Sequence, residues 1–264
     1  MKTFIAVSIL VASSFFIAGS AQSSPVLWAH DGLGRLGAID IADGSIDVIG
    51  NMGVVMTDIA YDANGGLWGI SFTDLFRINP QTAVSTKVGP HNIPSGNALV
   101  FGPDGLLYAA GGGSARLYSL DPGSGAGTSL GSTGFFSAGD LAFYHGNLYL
   151  SSTHNELIRI DLDNQAKGAM IGEFGFSNVF GLATADNDTL YGISLNKIFS
   201  VDITTGHGTE VLQYNNSLLA FSNGSSFITE ATPAPSVPLP ASAWLLGSAL
   251  PGLLLFRKRL RGKP

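Results

Sequence analysis

A motif that recurs about every 40 residues restricts the fold of this chain more than any other feature. A Leu-aromatic pair occurs five times, at steps of 40, 40, 41 and 42 residues: Leu27-Trp28, Leu67-Trp68, Leu107-Tyr108, Leu148-Tyr149 and Leu190-Tyr191. Shorter patterns precede and follow each pair. Repetition at a fixed period of this length is typical of solenoids and propellers, in which each repeat is one supersecondary unit.

The unit from Asp58 to Gly89 shows what one repeat contains. Its sequence is DIAYDANGGLWGISFTDLFRINPQTAVSTKVG, with four short apolar segments separated by turn residues. Asn64-Gly65-Gly66 suits a tight hairpin between the first two segments, and Asn79-Pro80 suits a turn between the last two. Alternation of period two within segments favours strands. Four strands in about 40 residues predict a β-propeller blade, and therefore an all-β domain.

The strand patterns also predict how the ring closes. Patterns typical of a first, innermost strand occur at Ile59-Ala60-Tyr61, Leu99-Val100-Phe101, Leu141-Ala142-Phe143, Leu182-Ala183-Thr184 and Leu219-Ala220-Phe221. The N-terminal unit has no such strand, so we expect the C-terminal unit, 217–230, to supply it and remove the free sheet edges. This predicts five blades. A surplus second strand at Phe227-Ile228 leaves six blades, one incomplete, as the alternative.

The third strand of each repeat ends in an Asp or Asn, at Asp40, Asn79, Asp121, Asp161 and Asp202. A ring of ligands is one interpretation. We prefer turn capping, because a short carboxylate or amide before a turn accepts backbone N–H bonds.

From about Val26 to Glu230, the repeats resemble those of secreted bacterial propellers with the pattern LAYDPNGGLYGI…LYRIDPATGAATLVG. These propellers are loosely similar to the NHL and gluconolactonase-like propellers. The matching motifs are structural, so the resemblance implies the fold and leaves the function open.

Composition excludes several classes of function. Cysteine is absent, which removes disulfides, zinc-thiolate sites and thiol nucleophiles. Residues 22–236 contain 7 Lys+Arg and 19 Asp+Glu, a net charge of −12. A domain this acidic repels nucleic acid, so we expect no nucleic-acid partner.

The first 21 residues have the features of a secretory signal peptide. Lys2 precedes an apolar run from Phe4 to Ile17, and small residues end at Ala21, where we predict cleavage. An uncleaved anchor is the alternative, although the apolar run is short for a membrane span. We therefore expect an exported domain at 22–230.

The C-terminus carries a second targeting device. A Pro-rich spacer at 231–236 precedes a tail at 237–264. Within the tail, an apolar segment at about 240–256 is long enough for a transmembrane helix, and a basic cluster lies at 257–263. Its first residues, Arg257, Lys258 and Arg259, should stay cytoplasmic and leave the domain outside.

The order of these segments resembles the PEP-CTERM sorting signal in its VPLPA variant. The short motif is Val237, Pro238, Leu239, Pro240 and Ala241, followed by the apolar helix and the basic cluster. The resemblance implies an exosortase-type membrane protease as a partner and delivery from the inner membrane to the cell envelope or surface. It also implies a bacterium that makes exopolysaccharide. Pro251 departs from the pattern because it should kink the helix. An ordinary stop-transfer anchor is the alternative.

A metal site is suggested only weakly. Asp58 and Asp140 are predicted to begin innermost strands beside the central channel, but the equivalent positions are Ala98, Gly181 and Leu218. Gluconolactonase-like propellers hold a divalent metal there. The resemblance therefore implies Asp58, Asn97 and Asp140 as candidate ligands, with Asn97 one residue out of register. Hard oxygen ligands of this kind suit Ca²⁺.

No catalytic residues are predicted. The histidines form no ligand pair, and His30, His91, His145, His154 and His207 are all expected in loops or turns. No serine lies in a nucleophile elbow.

The aromatic members of the five pairs are expected between blades, in the core. Loop residues are better candidates for sugar contacts. These are Phe72, Phe135, Phe136, Phe174 and Phe176.

These features predict a non-catalytic binding propeller, displayed on the cell envelope, that binds exopolysaccharide or another matrix component. A protein-interaction scaffold and a calcium-dependent, lactonase-like hydrolase are the alternatives.

Overall fold

A computed structural model of the chain describes residues 25–186 and 188–231. The predicted signal peptide, nearly all of the Pro-rich spacer and the whole sorting tail lie outside these residues. The described residues form strands and turns, and they contain no helix that is both long and apolar enough to span a membrane.

Twenty strands follow one another along the chain. Their bounds are β1 Val26–Asp31, β2 Arg35–Asp40, β3 Ile46–Asn51, β4 Asp58–Tyr61, β5 Leu67–Ile70, β6 Asp74–Ile78, β7 Ser85–Pro90, β8 Gly96–Phe101, β9 Leu107–Gly111, β10 Ser114–Leu120, β11 Gly127–Ser132, β12 Ser137–Tyr144, β13 Asn147–Ser152, β14 Glu156–Asp161, β15 Lys167–Glu173, β16 Val179–Ala185, β17 Thr189–Ser194, β18 Lys197–Val201, β19 Gly208–Gln213 and β20 Ser222–Phe227.

The strands form five antiparallel four-stranded sheets, which are the blades of a propeller. Blade 1 has the order β20-β1-β2-β3, and blades 2 to 5 are β4–β7, β8–β11, β12–β15 and β16–β19. The C-terminal strand is thus the innermost strand of the N-terminal blade. This confirms the five-bladed prediction and the composite closure.

The strand that closes the ring is not the one predicted. Leu219-Ala220-Phe221 lies in the loop before β20, where Leu219 is fully buried in the core. The innermost strand is the polar segment Ser222–Phe227. Phe227 is its last residue, so no surplus second strand exists and six blades are excluded. The prediction chose the apolar segment because strands are usually apolar. Here Leu219 is buried although it lies in a loop, while the strand itself is polar and lines the channel.

The repeated aromatic residues join neighbouring blades, as expected. The second-strand aromatic of one blade meets an aromatic near the end of the innermost strand in the next blade, with ring centroids 5.4 to 5.9 Å apart. The pairs are Trp28–Tyr61, Trp68–Phe101, Tyr108–Phe143 and Tyr191–Phe227. At the fifth interface Tyr149 faces blade 5, whose equivalent residue is Thr184. Such contacts contribute beyond the buried area alone.

The Asp or Asn after each third strand caps a turn, as predicted. Each of the five side chains accepts a hydrogen bond from the backbone N–H two residues later, at 2.8 to 3.2 Å. This contact holds the chain in the tight turn to the outermost strand.

The two faces of the propeller differ in what they carry. We call the face at which the innermost strands begin the mouth face, and the opposite face the exit face. Both described ends of the chain lie at the exit face, because β1 begins there after Pro25 and β20 ends there before Ala231. Ala231, the first residue of the predicted spacer, is buried against core residues.

Asp31 fastens the closing segment on the mouth face. This buried carboxylate accepts bonds from the backbone N–H of Leu33, Arg35 and Ala220, and from the Arg35 side chain at 2.7 Å. Burial alone would raise the pKa of Asp31, but the hydrogen bonds from Arg35 and Ala220 lower it below its ordinary value. The charged group therefore ties the loop before β20 to the β1–β2 turn.

We expect residues 22–231 to unfold in one cooperative thermal transition, since they contain every strand of the closed ring. A chain that ends at Phe221 lacks β20, so it exposes the inner edge of β1 and removes Phe227 from the core. It should lose the cooperative transition and self-associate. Circular dichroism melting and size-exclusion chromatography measure both effects. A shorter chain that melts at the same temperature would show that β20 does not close the ring.

Candidate functional site

The central channel is lined by the five innermost strands, and one level of it contains the predicted acids. Pairing with the second strands places the following residues at this level: Gly224, Asp58, Ala98, Asp140 and Gly181. The prediction that Leu218 is the fifth position is wrong, because Leu218 lies exposed in the loop before β20. The error follows from the misplaced closing strand.

Asp58 is fully buried and bridges two blades. One carboxyl oxygen accepts the backbone N–H of Ile59 at 2.8 Å, and the other accepts the N–H of Leu99 in the next blade at 2.6 Å. The N–H of Leu99 belongs to the innermost edge of its sheet, where no further strand can pair with it. Asp58 therefore supplies a partner for a buried donor that would otherwise have none.

Asp140 has the same role in blade 4, further round the ring. Its carboxyl group accepts the N–H of Leu141 and, from blade 5, the N–H of Leu182, both at 2.7 Å. It also accepts the N–H and hydroxyl of Ser225 in blade 1, at 3.2 and 3.3 Å. One carboxylate thus joins three blades across the channel.

The Asp58 and Asp140 carboxyl groups lie within hydrogen-bonding reach of each other, and such a bond requires a proton on one of them. Burial raises the pKa of Asp58 well above its ordinary value, and the charge of Asp140 raises it further. Burial also raises the pKa of Asp140, although its hydrogen bonds oppose the change. No cation faces the pair among the described residues that contact it. Two adjacent carboxyl groups in such surroundings cannot both ionise readily.

Glu230 closes the channel at the exit face. Its carboxyl accepts the hydroxyl of Ser226 at 3.0 Å and the backbone N–H of Thr184, while Ser226 in turn accepts the N–H of Tyr61. Burial raises the pKa of Glu230 well above its usual range, and the charge of Asp140 adds to this effect. The channel is therefore plugged and is not a passage.

His30 was predicted to lie in a loop, but it lies in β1 and is fully buried beside the channel. Neither ring nitrogen has a hydrogen-bond partner among the described residues. Burial lowers the pKa of His30 to about 4, so the imidazole is neutral at physiological pH. A side chain at Gly224 would overlap both His30 and the Asp58 carboxyl, which explains the glycine at that position.

These residues do not fit a calcium centre. Calcium takes six to eight oxygen ligands, whereas each carboxyl oxygen of Asp58 and Asp140 already accepts a backbone N–H group. Asn97, the third candidate, lies one level closer to the mouth, where its Nδ2 donates to the carbonyl of Ser137 at 3.1 Å. Within residues 25–186 and 188–231, no three His, Asp or Glu side chains cluster closely enough to hold a metal.

The mouth of the channel is a pocket of about 230 Å³ on the propeller axis. Every blade contributes a wall residue, and these are Asn223, Thr57, Asn97, Ala138 and Phe180. Val55, Met56 and Phe72 complete the pocket from loops of the mouth face. No charged side chain among the described residues lines it, so hydrogen bonds and apolar contacts are the interactions that it offers a ligand.

Backbone irregularities aim the wall residues at the axis. Asn97, Phe180 and Asn223 are each the extra residue where the register between innermost and second strand shifts. Ala138 lies within a similar irregularity of blade 4. Such bulges turn a side chain out of the regular strand alternation and are frequent beside functional sites.

The pocket keeps unused hydrogen-bonding capacity. The Asn97 Oδ1 atom is buried without a partner in the described chain, and the Asn223 amide makes no hydrogen bond to any described residue. Thr57 is different, because its hydroxyl lies within 3.0 Å of the carbonyl oxygens of Ile70 and Gly96. Two amide groups can therefore bind a ligand.

Apolar side chains surround the mouth. Phe72 is 60% exposed and Phe136 is 46% exposed, and both remain candidates for ligand contact. The other predicted contact residues are not on the surface. Phe174 is fully buried, Phe176 stacks on Phe199 at 4.3 Å, and Phe135 packs against the core.

Sequence reasoning missed Thr57, Phe180 and Asn223, and it assigned Asn97 to a metal rather than to the mouth. The signal present in the sequence was a glycine next to each bulged residue, at Gly96, Gly181 and Gly224. A glycine inside a strand pattern often marks a bulge.

The geometry defines a five-bladed propeller with a plugged channel and an uncharged axial pocket. Residues 59–226, more than half of the chain, match the model of a family described as a repeat of unknown function (DUF6923). The protein belongs to this family.

The first of two similar solved structures supports the fold. A chain in the crystal structure of a nidogen/laminin complex matches with a TM-score of 0.53 and 12% identity, over 80% of this chain and 87% of that one. Streptogramin B lyase matches with a TM-score of 0.46 and 14% identity, over 72% of this chain and 65% of that one. A search of curated proteins found no match.

We expect the free energy of unfolding of residues 22–231 to fall as the pH rises above about 4, until the folded carboxyl groups release their protons. Asp58, Asp140 and Glu230 have raised pKa values when folded, so they hold protons that the unfolded chain releases near pH 4. Each retained proton lowers stability by about 1.4 kcal/mol per pH unit. His30 has a lowered pKa in the folded protein, so it raises the free energy of unfolding as the pH rises, but only between about pH 4 and 6.5.

Urea denaturation at several pH values measures this slope. Asp58→Asn should reduce it, because a carboxyl group that retains its proton is lost, whereas Asp163→Asn in an exposed turn should leave it unchanged. An Asp58→Asn slope equal to that of the parent protein would contradict a retained proton on this pair of acids.

Proposed function

We propose that this protein is an exported, non-catalytic binding propeller, and that exopolysaccharide or another matrix component binds at the mouth face. One observation carries the proposal. The channel mouth is an uncharged pocket to which all five blades contribute, and both the Asn97 Oδ1 atom and the Asn223 amide lack partners within the described residues. Amide groups beside exposed aromatic rings suit a sugar, because the rings contact its C–H face while the amides bind its polar groups.

The interior below the pocket supports binding over catalysis. Asp58 and Asp140 lie one level below the pocket, and each is held by backbone N–H groups of neighbouring strands. A general base has to reach its substrate within hydrogen-bond distance. Since both acids are fully buried and serve the strand edges, a lactonase-like hydrolase has less support than a binding protein.

The two chain ends support export and sorting. The signal-peptide features of residues 1–21 and the VPLPA tail at 237–264 are sequence properties that favour an envelope protein processed by an exosortase-type protease. The resemblance to the PEP-CTERM signal implies a bacterium that makes exopolysaccharide, and we therefore propose that polymer as the ligand of the domain.

A protein partner is the second candidate. Six exposed large apolar side chains lie on the mouth face, and these are Leu33, Val55, Phe72, Phe136, Leu218 and Phe221. Exposed apolar surface of this kind can bind a protein partner. The nidogen/laminin structure is itself a protein complex.

We expect full-length protein to bind the producer's purified exopolysaccharide saturably in isothermal titration calorimetry, with equal affinity in Ca²⁺ and in chelator. Phe72→Ala should weaken binding about five- to tenfold, the loss expected from about 1 kcal/mol or slightly more of ring contact. Leu106→Ala, similarly exposed but on the exit face, is the matched control. Absence of heat would favour a protein partner, and loss of binding in chelator would return the channel metal to consideration.

Replacing Pro238 and Pro240 by alanine should leave a membrane-bound precursor in the producing cell, because the protease recognises the short motif. The same change at Pro233 and Pro235, in the spacer, should permit normal release. Cell fractionation and the mass of the released chain measure the outcome. Identical distributions for the two double variants would favour an ordinary stop-transfer anchor.

A further inference from the structure

The size of the mouth pocket limits what can enter it. Its volume of about 230 Å³ lies below the roughly 300–1,000 Å³ of pockets that enclose drug-sized ligands. One sugar unit, or a substituent of one, fits this space better than a longer stretch of polymer.

The polar groups of the pocket are arranged for a ligand that both donates and accepts. The Asn97 Oδ1 atom can only accept, because it is a carbonyl oxygen and its Nδ2 is already bonded to Ser137. The Asn223 amide can donate, and no described residue forms a hydrogen bond with it. A secondary amide, which has one N–H and one C=O, satisfies both groups at once.

The remaining walls favour a methyl group and oppose a negative charge. Val55, Met56, Ala138 and Phe180 are apolar, so a ligand rich in hydroxyl groups would leave some of them without partners. No cation among the described residues lines the pocket, and the Asp58–Asp140 pair lies one level below it. A carboxylate or sulfate would therefore be desolvated without compensation.

We propose that the mouth pocket recognises a single uncharged sugar unit that bears an acetamido group. This rests on the proposed function of the mouth as a polysaccharide site, and it names the chemistry that the site selects. The acetamido N–H meets Asn97, its carbonyl meets Asn223, its methyl group meets the apolar walls, and the sugar ring faces the exposed phenylalanines.

The test is an NMR titration of full-length protein in mild detergent with four small probes. These are methyl N-acetylglucosaminide, methyl glucoside, methyl glucuronide and the peptide mimic N-acetylglycine amide. We expect the acetamido sugar to bind at least tenfold more tightly than the glucoside, since two hydrogen bonds contribute about fivefold each. The glucuronide should bind more weakly than the glucoside. Saturation transfer should be strongest at the acetyl methyl protons.

Two variants locate the site. Asn223→Ala removes an amide that has no partner within the described residues, so the fold should be kept while affinity for the acetamido sugar falls about fivefold. Asn97→Asp keeps the shape but adds a charge beside the buried acids, and it should weaken binding more. Asn64→Ala, in an exposed turn of the exit face, is the matched control.

Each outcome separates the two proposals. If exopolysaccharide binds at the mouth but the glucoside binds as well as the acetamido sugar, the specificity is overturned and the function stands. If neither exopolysaccharide nor any sugar probe binds, both proposals fall. If N-acetylglycine amide binds as tightly as the acetamido sugar, the pocket recognises the amide of a peptide and the sugar assignment is wrong.

Discussion

The free edges of the five innermost strands are the constraint on which this structure depends. Each sheet ends at the channel with backbone N–H groups that have no neighbouring strand, and buried donors of this kind need partners. Asp58, Asp140, Ser226 and Glu230 supply them for Leu99, Leu182, Ser225, Tyr61 and Thr184. The acids therefore hold neighbouring and opposite blades together, as structural elements of the ring.

This arrangement explains the residues around the acids. Gly224 is small because a side chain there would overlap the Asp58 carboxyl group, and a side chain at Gly181 would overlap Ile193 and the Ser225 hydroxyl. Without a facing cation among the described residues, the acids stay in place by keeping protons. The net charge of −12 predicted for residues 22–236 thus overstates the charge that the folded domain carries, because its buried acids are not all ionised.

The sequence predicted the fold well because packing repeats. Leu67-Trp68 and its equivalents recur at a fixed spacing since each blade places the same aromatic against the next one, so one unit identifies all of them. Composite closure followed from the missing first strand of the N-terminal unit. The exact position of β20 could not be predicted in the same way. Leu219 is an apolar core residue that lies in a loop, and the strand that closes the ring is polar.

The site was less predictable than the fold, for physical reasons. Asp58 and Asp140 were correctly placed in the channel, but their partners are backbone groups of other blades, which no local pattern reveals. Asn97, Phe180 and Asn223 meet at the mouth because bulges turn them there. A bulge is a property of strand pairing, and its trace in the sequence is no more than an adjacent glycine.

Both described chain ends leave from the face opposite the pocket, and this sets the orientation of a tethered molecule. Residues 232–239, which precede the predicted transmembrane helix, span at most about 29 Å at roughly 3.6 Å per residue, so the predicted anchor would hold the exit face within that distance of the membrane. The turn aspartates, among them Asp121, Asp161 and Asp202, lie on that face and would be repelled by anionic lipid headgroups. The mouth would then point away from the membrane, with the exit face held near the membrane surface without adhering to it and the pocket open to the surrounding matrix.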